Sequence, residues 1–87
     1  MVRGSVMLHR RDDESHEFRE VILCENVPVP GHWAVVEQVG FLSMSDTFKR
    51  TQLHHGWERD SRLFFEEEIN RLCKEGFYEC EADPPKA

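Results

Sequence analysis

The chain has 87 residues, 39% of them hydrophobic and 32% charged, and a formal net charge of −6. That length makes one domain, which buries only about 60–65% of its unfolded surface. Its core is therefore small, although six phenylalanines and two tryptophans set it apart from a disordered acidic tail. The charge balance argues against a general nucleic-acid binder, and no apolar run approaches the roughly 20 residues needed to cross a membrane.

The N-terminal MVRGSVML has no long apolar stretch, so no secretory signal is expected and a cytoplasmic location is. Residues 1–4 are set apart as an appended or flexible N-terminus. SVMLHRR (residues 5–11) reads as a short strand, and Asp12 to Ser15 as a polar turn. HEFREVILC (16–24) is rich in β-branched and aromatic residues. Phe18, Glu20, Ile22 and Cys24 share one face, and Arg19, Val21 and Leu23 share the other. ENVPVPG (25–31) holds two prolines and a glycine and is a connecting loop.

HWAVVEQVGF (32–41) is the third strand, with Trp33, Val35 and Glu37 alternating with Ala34, Val36 and Gln38. Ser43 to Asp46 form a turn, and TFKRTQL (47–53) is a Thr- and Phe-bearing fourth strand that ends before His54, His55 and Gly56. Trp57, Ser61, Phe64, Phe65, Ile69, Leu72 and Cys73 then recur at spacings of three and four, one apolar stripe on a helix of about 18 residues. Glu58 and Asp60 at its start and Arg71 and Lys74 at its end suit the helix dipole. Gly76 tolerates positive φ just past the end, with Phe77 placed to pack back on Leu72. The domain spans residues 5–78, and 79–87 form a flexible acidic tail. Four strands followed by a helix, without βαβ alternation, predict an α+β fold: a four-stranded antiparallel sheet with one C-terminal helix packed on it.

No catalytic or metal-binding pattern stands out. Three widely spaced cysteines (Cys24, Cys73 and Cys80) read as reduced thiols, and Cys73 as a small core residue. His54 and His55 lie upstream of Cys73 and Cys80, but adjacent residues in extended chain point apart, and zinc sites use closer pairs. Of Glu66, Glu67 and Glu68, only Glu68 lies near the apolar stripe. GxSxG, Walker-type and dinucleotide-binding patterns are absent. The chain therefore reads as non-enzymatic, with no metal and no cofactor; an enzyme or metal protein using His54, His55 and a cysteine is the remaining alternative.

Lys49 to His55 is the most basic stretch. With Arg10, Arg11 and the aromatic Trp33 or Phe41 it could hold phosphate and stack a base, or form an ordinary polar sheet face.

In this order the segments of residues 5–78 resemble a WGR domain, the small module of some poly(ADP-ribose) polymerases and many bacterial proteins. SVMLHRRDD resembles the family's opening strand and acidic turn, and HEFREVIL its Lys-Phe-Tyr-Glu-Ile pattern, with Phe18 at the aromatic position. HWAVVEQVGFLS resembles the signature strand, TFKRTQL the Thr/Lys-rich strand, and CKEGFYE the end of the closing helix. The signature departs: Val39-Gly40-Phe41 stands where the family has Trp-Gly-Arg, and Ser43 where it has a second glycine. In the polymerases the tryptophan and arginine help hold DNA ends and neighbouring domains. Val39 offers no large stacking surface and Phe41 cannot pair a phosphate, so the resemblance implies the fold more than DNA binding. It also places Gly40 at a bend or bulge, with Phe41 as core or as apolar contact. The expected function is a small interaction module that contacts a protein partner or neighbouring domain through the sheet face and the Gly40–Phe41 region, with homodimers allowed. Weak DNA binding through Arg10, Arg11, Trp33, Lys49 and Arg50 is the alternative.

Overall fold

The computed structural model describes residues 1–11, 15–41 and 44–79. Strands β1 (Val2–Arg11), β2 (His16–Glu25), β3 (Trp33–Phe41) and β4 (Met44–Gly56) precede helix α1 (Glu58–Lys74) and the two-residue strand β5 (Tyr78–Glu79). All pair antiparallel in one sheet of order β4-β3-β2-β1-β5, so the fold is α+β, as the sequence predicts, with one strand more than expected.

Several boundaries differ from the sequence reading. Strand β1 takes in Val2–Gly4, and β5 takes in Tyr78 and Glu79, the latter the first residue of the expected tail. Residues 80–87, Cys80 among them, lie outside the described residues, as do Leu42 and Ser43 of the expected turn and Asp12–Glu14 of the earlier one. Met44–Asp46 belong to β4, and so do His54, His55 and Gly56. Between Val35 and Val36, β3 advances one residue while β4 advances from His54 to Gln52, a bulge that lets β4 continue through the histidines.

Cross-strand partners share a face. Leu8 of β1, Val21 and Leu23 of β2, and Trp33 and Val35 of β3 lie on the side that α1 covers and with Leu72 and Phe77 form the core, against which the partly buried Val6 of β1 packs. Burying side chains of this size stabilises the fold by about 1.5–3 kcal/mol each. From the helix, Phe64, Phe65 and Ile69 pack against this core and Ser61 is fully buried. Two members of the expected stripe are displaced: Trp57 is exposed and precedes the helix in extended conformation (φ −86, ψ 159), and Cys73 is exposed rather than core.

The helix stops where its sequence says. Gly76 has φ +100, its N–H donates to the Cys73 carbonyl at 3.1 Å, and the Phe77 N–H donates to the Leu72 carbonyl at 3.0 Å. This is a Schellman end, with Phe77 buried beside Leu72. The guanidinium groups of Arg10 and Arg19 stand 4.6 and 5.3 Å from the centre of the Phe77 ring.

Past the core, the helix side of the sheet turns ionic. Arg10 and Arg19 both donate to Glu17, at 3.1 and 2.8 Å, and Arg19 reaches Glu37 at 3.2 Å. Glu68 of α1, buried, accepts two bonds from Arg71, which also pairs with Glu75. Glu66 and Glu67 are exposed. At the opposite end the loop after β2 is tied back on itself: Asn26 has φ +61, Gly31 has φ +86, and the Gly31 N–H donates to the side-chain Oδ1 of Asn26 at 3.0 Å. Among the described residues no helix is long and apolar enough to cross a membrane.

Candidate interaction face

One face of the sheet carries α1; among the described residues no helix or strand covers the other. Register alone decides what this open face shows. Met7, Glu20, Gln38 and Arg50 form one row across β1 to β4, and Ser5, Ile22, Val36 and Gln52 form the next. His9, Phe18 and Gly40 form a third, with Arg11 and His16 beyond. Met7, Phe18, Glu20 and Gln38 line a depression of about 250 Å³. Arg50 Nη2 donates to Gln38 Oε1 at 3.0 Å and so borders it.

Beside the depression stands an aromatic group. The His16 ring stacks on Phe18 with centroids 4.3 Å apart, and the exposed Tyr78 lies 6.4 Å from His9. His9 Nδ1 and His16 Nε2 approach to 2.8 Å. Burial, then the His9 ring and the Arg11 charge, hold the His16 imidazole below its ordinary pKa, so it stays neutral further into the acid range.

The predicted site residues do not gather here. Trp33 is core, buried under Arg62, whose guanidinium lies 5.1 Å from its ring centre, and it offers no face to a base. Arg10 is on the helix side, bonded to Glu17 and, at 3.1 Å, to the Glu75 carbonyl. Lys49 is exposed and pairs with Val39, on the helix side. Only Arg11 and Arg50 reach the open face, and two strands stand between them, about 14 Å of sheet. The basic residues thus make no single patch.

Gly40 is buried on the open face, opposite Phe18. A register irregularity falls beside it, with the extra residues on β4: from Val39 to Phe41, β3 takes two steps and β4 takes five, from Lys49 to Met44. Phe41 is half-buried, opposite Glu17 on the helix side of the sheet. His54 and His55 point to opposite faces. The His54 ring stacks at 5.0 Å on Phe64, and its Nδ1 lies 3.4 Å from the Oγ of Ser61, whose full burial makes this a packing contact. Among the described residues no three His, Cys, Asp or Glu side chains converge as a metal cluster.

The residues that sequence reasoning missed are Met7, His9, His16 and Tyr78. Alternation does put Phe18 and Glu20 on one face, but not which face the helix leaves open. Compared with protein-family models, with curated proteins and with solved structures, the chain matches none.

Proposed function

We propose that this chain is a small non-catalytic interaction module, resembling WGR domains, which docks a protein on the open face of its sheet. The observation that carries the reading is that face itself: Met7, Phe18, Ile22, Val36 and the His9–His16 pair are continuous across three strands with no element over them. Met7 is exposed and Phe18 and Val36 are half-buried there, with Ile22 closed off between them, and apolar surface left open on a sheet face is a candidate contact site.

A second copy of the chain is the partner the surface fits. The four long strands, about ten residues each, span on the order of 600 Å² of sheet, the same order as the roughly 800 Å² each partner buries in a standard interface. Two sheets stack at about 10 Å through such faces. On β1, β2 and β3 the face bears one carboxylate, Glu20, with Arg11 on β1 and Arg50 on β4 of opposite sign, so two copies meet there with less repulsion than a net charge of −6 would otherwise impose. A basic nucleic-acid surface gains no such support, because Arg10 and Lys49 lie on the other side.

Amide chemical shifts followed from micromolar to near-millimolar protein test this. Residues of β1, β2 and β3 should move with concentration while those of α1 stay. Shifts independent of concentration, or confined to the helix, would overturn the reading.

A further inference from the structure

We infer that His9 and His16 form a two-histidine site for a divalent transition-metal ion of tetragonal preference, Ni(II) or Cu(II), at the β1–β2 end of the open face. The metal reading of the sequence attached to His54 and His55, which the strand sends to opposite faces. The pair that converges is this one, diagonal neighbours across β1 and β2, with His9 opposite Phe18 and His16 opposite Arg11, rather than neighbours in the chain.

The geometry carries the inference. Two nitrogens each about 2.0–2.1 Å from one ion stand about 2.9 Å apart at a right angle and about 3.3 Å apart at the tetrahedral angle. His9 Nδ1 and His16 Nε2 are 2.8 Å apart. That contact is of hydrogen-bond length and also close to the spacing of neighbouring positions in a square or octahedral site, so an ion can replace the shared proton with little change in separation. Both rings are already placed, His16 by its stack on Phe18 and His9 between His16 and Tyr78. Both are half-buried, so in the undocked chain an ion can reach them and solvent fills the remaining positions. No net deprotonation is needed when both rings are neutral: the ring that donates across the 2.8 Å contact moves its proton to its far nitrogen, and the other already presents a lone pair. The charged group set against the ion is Arg11, beside His16; it is exposed and screened by salt.

Nickel is the probe, because it does not oxidise Cys24 or Cys73. Titrating the intact chain with a nickel salt should give one ion per chain by calorimetry, with the imidazole C–H signals of His9 and His16 broadened or shifted first. His9→Gln and His16→Gln should each weaken binding about tenfold or more. His54→Gln with His55→Gln should leave it unchanged, and Arg11→Gln should tighten it. Binding should fade on acidification as protons compete, and zinc should bind less tightly. No binding by the wild-type chain, perturbation of other signals before those two, or affinity that survives both single variants would overturn the site. The wild-type spectra decide the matter even if a variant folds poorly.

Discussion

Leu8, Val21, Val35 and Leu72 are sealed from solvent, and few side chains stand behind them in so small a core. Truncating one leaves a cavity that a sheet and a single helix cannot collapse. Leu8→Ala and Leu72→Ala should each cost about 2–5 kcal/mol in chemical denaturation, a large share of the roughly 5–15 kcal/mol a domain has. Glu37 shows the opposite kind of burial. It lies under the helix, where desolvation pushes its carboxyl above the usual range and Arg19 offsets this only in part. A folded-state value above the unfolded one means that its contribution to stability is full below the ordinary carboxylate range. The contribution is lost as pH rises through the raised value. Glu37→Gln keeps an acceptor for Arg19 and removes the charge. The variant should therefore be more stable than wild type at neutral pH, with the gap closing in acid, as denaturation at both pH values will show. His16 runs the other way: its lowered value makes its contribution full above its ordinary value and lost as pH falls through the lowered one, a loss that His16→Gln should flatten.

At the scale of the element, α1 and its stop were the most legible features of the sequence, and the reason is local chemistry. Gly76 and Phe77 complete a hydrogen-bonded end that needs φ > 0 at one residue and an apolar side chain at the next. A Cβ on Gly76 would meet only Arg10 Cδ at 3.7 Å, so Gly76→Ala tests backbone strain alone. It should lower stability by about 1–2 kcal/mol without changing the helix content of the native state seen by circular dichroism. The stripe misled at its ends. Cys73 follows Leu72 by one residue, about 100° round the helix, and Leu72 holds the core position. Trp57 lies before the first turn, where the helical period does not apply. Strand β5 has two residues, too few for any period, and was invisible for that reason.

For the molecule as a whole, the antiparallel pairing of the four long strands and the α+β class followed from short connections, but the place of β5 and the choice of face did not. On β2 the more apolar-looking set is Phe18, Ile22 and Cys24, yet the helix covers the set that includes Glu17 and Arg19. The ion pairs among Arg10, Glu17, Arg19 and Glu37 make that choice tolerable, and they depend on contacts between strands that no short window of sequence contains. The inversion puts Phe18, Ile22 and Met7 on the uncovered face, where Met7 is exposed and Phe18 half-buried, which is why the open face is the functional candidate.

Sedimentation velocity over a wide range of protein concentration, on the wild-type chain and on Val36→Lys, tests that claim most directly. Val36 is half-buried on the open face, on the opposite side of β3 from core Val35. The wild-type chain should pass from monomer to dimer as concentration rises, with little dependence on salt. Val36→Lys should remain monomeric with an unchanged melting temperature. A wild-type chain that stays monomeric throughout, or a variant that dimerises equally well, would contradict docking of a second copy on this face.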